Sequence, residues 1–133
     1  MIKEQYKYSD VTSKIIGCAI EVHNNLGNGF QEVVYQRALS IEMKLQNIFH
    51  EREKEMPLSY KGYSIGTRRV DFFVDKKIMV ELKAIKAIED VHLAQAINYL
   101  EAYNMEIGLL INFGSIKLQV KRVMKPLRKG FDS

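Results

Sequence analysis

Asp71, Glu81 and Lys83 are the residues whose types and spacing point most directly to chemistry. Asp71 sits in Arg69-Val70-Asp71-Phe72-Phe73-Val74, and the other two in Ile78-Met79-Val80-Glu81-Leu82-Lys83. Period-2 alternation puts Glu81 and Lys83 on one face of a strand, with Ile78, Val80 and Leu82 on the other. Whether Asp71 joins them depends on hairpin register. A two-residue loop pairs Asp71 with Val80, whereas a three-residue loop, Asp75 to Lys77, pairs Val74 with Ile78 and sets Asp71 opposite Glu81. Two facing carboxylates repel in a plain sheet, and a divalent cation removes that repulsion. Oxygen ligands suit Mg²⁺ or Mn²⁺, which can polarise a phosphodiester and acidify a bound water beside the lysine. An exposed polar strand face with an ordinary Glu-Lys pair is the bland alternative.

The elements that must position these residues can be read from periodicity. Asp10 is placed to cap a first helix with Val11, Ile15, Ala19, Val22 and Leu26 at helical spacing, ended by Gly27. A second helix is expected from Gln31 to Gln46. The period then changes: Phe49 to Tyr60 and Tyr63 to Val74 read as strands joined at Lys61-Gly62, with Gly66 marking a bulge or bend. Lys77 to Ile85 is a third strand and Asp90 to Tyr103 a third helix. The apolar run Ile107 to Phe113 suits a strand covered on both faces, and Gly114-Ser115 turns it into a last strand, Ile116 to Met124. Helices on both sides of a mixed sheet imply an α/β sandwich.

Length and composition fit one domain. The chain has 133 residues, 47% hydrophobic, enough for one core. No apolar run reaches membrane-span length and the N-terminal segment lacks a signal-peptide h-region, so a soluble cytoplasmic protein is expected. A single cysteine, Cys18, excludes an internal disulfide, an iron–sulfur cluster and a structural zinc site; it reads as a small buried apolar side chain. The net charge of +4 is mildly basic, yet no acidic residue occurs from Ile107 to Phe131, where six lysines and arginines fall. That basic segment suits phosphate contact or a solvated tail equally.

Asp71 followed by Glu81-Leu82-Lys83 resembles the D…(D/E)-x-K core of the PD-(D/E)XK nucleases, with Val70 where that superfamily's name has proline. Gly29-Phe30-Gln31-Glu32-Val33-Val34-Tyr35 is similar to the Gly-x-x-Glu-x-x-Tyr pattern of the bacterial GxxExxY family within it. Gln95-Ala96-Ile97-Asn98-Tyr99 resembles the Gln-x-x-x-Tyr element of its recombination-type nucleases, and Leu110 to Gly114 resembles the family's late strand and turn. The resemblance spans roughly residues 15 to 122.

It implies a restriction-endonuclease-like α/β/α sandwich with a mixed central sheet over a single domain of 1–133, core about 10–124, basic tail 125–133. It implies metal-dependent phosphodiester hydrolysis of nucleic acid, DNA rather than RNA. Asp71 and Glu81 would be Mg²⁺ or Mn²⁺ ligands with the Leu82 carbonyl, and Glu32 a further ligand directly or through water. Lys83 would act on the attacking water and Gln95 on a phosphate or the lysine. Tyr99, His92, Tyr35 and Arg69 would meet substrate. The alternative is an inactive nuclease-fold module for nucleic-acid or protein binding.

Neighbouring residues carry weaker signals. By strict alternation Arg69, and not Arg68, faces the side of Asp71, and pairing with a carboxylate is its simplest role. His23 reads as a capping or partly buried histidine, and His50, at the head of a charged stretch, as solvated. Tyr60 and Tyr63 flank a turn, where packing across the hairpin competes with base stacking. A domain this small suggests a homodimer or a partner protein.

Overall fold

The structure is a computed structural model that describes residues 7–126. The rest of the expected basic tail, Arg128 and Lys129 included, lies outside the described residues. The elements are α1 (Ser9–Leu26), α2 (Glu32–Leu45), β1 (His50–Tyr60), β2 (Tyr63–Val74), β3 (Ile78–Lys83), α3 (Asp90–Ala102), β4 (Ile107–Asn112) and β5 (Gln119–Met124). The strands form one sheet in chain order, antiparallel throughout except for β3 and β4, which run parallel. A parallel neighbour needs a crossover, and α3 supplies it.

The helices divide between the two faces. Ile15, Ala19, Val22, Tyr35, Leu39 and Met43 from α1 and α2 pack with Phe72, Val74, Ile78, Val80, Leu82, Leu109 and Ile111. Ala96 and Leu100 of α3 pack on the opposite face with Val70, Met79 and Val123. The fold is therefore α/β, a mixed five-stranded sheet between helical layers, as the periodicities predict.

Several local expectations need correction. Asp10 lies inside α1; the cap is Tyr8, with φ 59° and no side-chain bond. The last strand starts at Gln119, three residues later than expected. His50 is not solvated: Nε2 meets Ser40 Oγ at 2.8 Å, Nδ1 meets the Ile48 carbonyl at 2.9 Å, and the ring packs edge-on to Phe72. A histidine that bridges α2 to the start of β1 gains more from these bonds than from water.

Register settles the hairpin question. Val74 pairs with Ile78 and Phe72 with Val80, so the loop is Asp75 to Lys77, three residues long. Asp75 and Lys76 both take the left-handed region, and Lys77 N–H donates to the Val74 carbonyl at 2.9 Å. The β2–β3 ladder stops at Phe72 and Val80, one step short of Asp71 and Glu81.

Candidate active site

The site forms where β2 parts from β3. Val70 belongs to the α3-side core and Phe72 to the α1/α2-side core, although they are two residues apart and strict alternation would place them together. The break falls at Asp71. On β1 the same level is Glu53, between the pairs Arg52–Phe72 and Lys54–Val70, and Glu53 adopts φ 56°. The irregularity re-aims the side chains on either side of it, as local bulge-like disruptions of a ladder do.

Asp71 uses the gap. Its Oδ2 accepts the Leu82 backbone N–H at 2.8 Å, standing in for the ladder carbonyl that β2 no longer offers, and its Oδ1 accepts Gln36 Nε2 at 2.8 Å. Because a strand residue in an antiparallel ladder directs its N–H and C=O to the same neighbour, the Leu82 carbonyl also faces the β2 edge. Gln36 is buried on α2 and its Oε1 accepts Arg52 Nη1 at 3.1 Å. Gln36 was not anticipated from the sequence. It lies one helical turn after Glu32, and that i,i+4 spacing is the signal that could have found it.

Glu81 is buried among these groups, its side chain 7% exposed, and Oε1 has no hydrogen-bond partner. Arg68 Nη2 sits 3.1 Å from Oε2. Burial first, and Asp71 second, push the Glu81 carboxyl up to about 8; Arg68 and Lys83 oppose them. Glu32, at the first turn of α2, is raised by desolvation of its carboxyl and then by Asp71, again against Lys83 and Arg68, although the residue as a whole is exposed. Lys83 is half-buried, and among the described residues no ion pair within 4.0 Å ties it down. Glu32, Gln36, Arg68, Arg69 and Asp71 line an open cleft of about 340 Å³.

Arg68 corrects the alternation argument. Beyond the break at Asp71 it shares the Val70 side, which is the side of Glu81, and its guanidinium lies 4.9 Å from the Tyr99 ring centroid. Arg69 lines the cleft but pairs with Glu53 at 3.1 Å and Glu55 at 3.3 Å.

On α3, Tyr99 is half-buried beneath Arg68, and Gln95 is exposed one turn earlier. His92 Nδ1 accepts the Glu89 N–H at 2.9 Å in a capping box, which fixes its ring at the helix start. Tyr35 is placed differently from its expected role at substrate. It is fully buried, donates its hydroxyl to the Gly27 carbonyl at 2.6 Å, accepts the Phe30 N–H at 3.0 Å and stacks on Phe113 at 4.7 Å. It braces the α1–α2 turn that presents Glu32. His23 meets the Ser115 carbonyl at 3.1 Å near the end of α1, away from the carboxylates.

The donors fit a hard divalent cation. Asp71 and Glu81 are close enough to raise the Glu81 carboxyl, Glu81 Oε1 is buried without a partner, and the Leu82 N–H is bound to Asp71 Oδ2 at 2.8 Å. Among the described residues no cluster of three His, Cys, Asp or Glu side chains forms a complete ligand set, so water and the Leu82 carbonyl would have to fill the remaining positions.

Comparison with known proteins bears on the fold and the family. Among solved structures, one described as "Crystal structure of SSO0001" aligns with a TM-score of 0.52 at 23% identity, over 72% of this chain and 50% of that one, which is a likeness of fold. The chain thus spans about half the length of that structure. No curated protein matches. A sequence model described as the PD-(D/E)XK nuclease superfamily matches residues 9–123, the stretch that holds both carboxylates, Lys83 and all three helices, and the chain belongs to that superfamily.

Proposed function

We propose that the protein is a Mg²⁺- or Mn²⁺-dependent nuclease of the GxxExxY type that hydrolyses phosphodiester bonds, with DNA as the preferred substrate. The observation that carries this reading is the buried, partnerless Glu81 Oε1 beside Asp71, in a carboxyl pushed up to about 8. A fold gains nothing from burying such a group unless a cation or proton completes it.

Asp71 and Glu81 are the metal ligands in this reading, with the Leu82 carbonyl, and Glu32 binds at the mouth directly or through water. Such an ion, when bound, supplies a Lewis acid and an acidified water. Lys83, on the same strand face as Glu81, orients that water and offsets negative charge as the phosphorane-like transition state forms. Gln36 and the Leu82 N–H hold Asp71 in one rotamer. Tyr99 packs under Arg68, which holds Glu81 Oε2 at 3.1 Å and would be available to a phosphate if a bound ion took over that carboxylate. Arg69 lines the cleft and, with Gln95 and His92 of α3, bears on the nucleotide strand in this reading; Tyr35 acts only through the turn it braces.

The test is metal-dependent cleavage of single- and double-stranded oligonucleotides by the wild-type chain and by Asp71→Ala, Glu81→Ala and Lys83→Ala. Each variant should fall by at least about a hundredfold, a scale set by losing one charge-stabilising group. Cleavage that survives in all three would refute the assignment.

One observation favours a second reading, a nuclease fold that binds without turnover: Arg68 already supplies Glu81 with an internal cation. Calorimetry separates the two. Polyanion binding with a steep salt dependence but no heat from Mn²⁺ would favour the binding module.

A further inference from the structure

β1 and β2 outrun the rest of the sheet. Their ladder extends from His50–Val74 to Tyr60–Tyr63, but β3 accompanies β2 only at Phe72 to Val74. Beyond Val70 the two strands form a ribbon whose base is held by Met56, packed on the α3-side core and accepting the Tyr103 hydroxyl at 3.1 Å. From Pro57 to Thr67 the ribbon stands clear, turns at Lys61-Gly62 with both residues at positive φ, and bulges where Leu58 pairs with Gly66 and Ser59 with Ser64. At the rise of an extended strand, the eight residue steps from Asp71 to Tyr63 span about 26 Å.

The tip is unusual in what it exposes. Tyr60 is 60% exposed and Tyr63 76%, and although the two are Cα partners across the ladder, no ring contact joins them. Packing across the hairpin therefore does not account for them. Lys61 Nζ hangs 5.4 Å from the Tyr60 centroid, and Ile65 is also exposed. Between Glu55 and Asp71 there is no carboxylate, and with Arg68 paired to Glu81 and Arg69 to Glu53 and Glu55, Lys61 is the cation the tip itself presents.

We propose that this ribbon is a second binding element whose tip stacks Tyr60 and Tyr63 on unpaired nucleobases, so that the protein takes substrates with a single-stranded segment. The inference rests on the nuclease reading for the direction of the bound strand, which runs from Asp71 along β2 to Tyr63. Aromatic faces stack on any base, and a nearby cation tracks the backbone without sequence preference. At about 3.4 Å per stacked nucleotide, the arm sets tip and carboxylates roughly seven to eight nucleotides apart. A second copy of the chain fits the ribbon less well. Its free edge, β1, carries Pro57 and the run Glu51, Arg52, Glu53, Lys54, Glu55, features that discourage edge-to-edge pairing.

The experiment measures binding of a labelled 16-nucleotide single strand in EDTA, so that cleavage plays no part and its absence would not count against the arm. Tyr60→Ala/Tyr63→Ala should bind about tenfold or more weakly, given what each stacked base contributes, and Tyr60→Phe/Tyr63→Phe within about twofold of wild type. The unaltered protein should show the same loss on a 16-mer of abasic sites with equal charge, and the alanine pair should cost nothing further there. Binding of the normal strand that is unchanged in the alanine variant overturns the proposal. So does an alanine variant that keeps its affinity but loses a concentration-dependent dimer in sedimentation, because the tip is then a protein interface. Cleavage that persists in Asp71→Ala while tip-dependent binding stays intact would overturn the catalytic reading and leave the arm standing.

Discussion

Arg68 holds its guanidinium 3.1 Å from Glu81 Oε2 with Tyr99 beneath it, yet the Glu81 carboxyl is still pushed up to about 8. Burial and Asp71 outweigh the arginine. Desolvation therefore favours the protonated form of Glu81, and in the proposed reading a divalent cation is what would ionise it.

Stability should follow from this. Glu81 binds its proton more tightly in the folded chain than in the unfolded one, where 4.5 is the ordinary value. Its stabilising contribution is fully present below about pH 4.5 and is lost as pH rises through about 8, a swing on the order of a few kcal/mol. Urea unfolding in EDTA from pH 5 to 9 should show Glu81→Gln losing much less stability than wild type over that range, and exceeding it above pH 8. Parallel curves for the two proteins would contradict the burial of an ionisable group at this position.

Cation binding should show the reverse dependence. A proton on Glu81 competes with Mn²⁺, so affinity should climb by up to about tenfold per pH unit and level off above about 8. Titration calorimetry in two buffers of different ionisation enthalpy at pH 7 should report about one proton released per ion, with Glu32, also raised, adding a fraction. Arg68→Met removes an opposing charge and should move the plateau to higher pH. Flat affinity between pH 6 and 8 would mean that the ion does not engage Glu81.

Tyr35→Phe separates bracing from substrate contact. The hydroxyl has two partners in a buried setting, Gly27 and Phe30, and deleting it leaves a carbonyl and an N–H short of a bond. Thermal or urea unfolding should report a loss of about 1–3 kcal/mol. Oligonucleotide affinity should stay within twofold. A large drop in affinity with unchanged stability would restore Tyr35 to the substrate surface.

Most of the fold was legible because its periods are clean. The apolar stripe of α1, the alternation of β3 and the solid run of β4 each permit one reading, whereas the sequence leaves the loop at Asp75 to Lys77 open between two and three residues and only the register decides it. The failures that bear on Asp71 and Glu81 fall where alternation itself fails. Arg68 was set aside in favour of Arg69 because parity was assumed to hold through Asp71, whereas Val70 and Phe72 face opposite cores. Gln36 carries no motif of its own, and its role exists only because α2 lies against the gap in the ladder. A break in pairing that re-aims four side chains leaves no trace in the spacing of the residues that flank it, since the ladder is cooperative across strands far apart in sequence.

The two glycines of the recognised segments should respond very differently to alanine. At Gly114 an added Cβ would lie 2.4 Å from both the N and the O of Ile85, backbone atoms that cannot rotate away. Those same atoms are bound by the fully buried Asn112, whose Oδ1 accepts from Ile85 N–H and Gly114 N–H and whose Nδ2 donates to the Ile85 carbonyl and to Gln119. Gly114→Ala must push the Ala84–Ile85 backbone outward and break that set, costing roughly 2–4 kcal/mol from overpacking and lost buried bonds. Because Lys83 immediately precedes the displaced pair, protein that remains folded should lose the proposed turnover while Mn²⁺ affinity, assigned in that reading to Asp71 and Glu81, falls far less. At Gly29 the added Cβ meets nothing within 4 Å, so Gly29→Ala should stay within about 0.5 kcal/mol of wild type, as surface changes usually do. Equal destabilisation at both positions would show that the tight approach of Gly114 to Ile85 is not what fixes the end of β3.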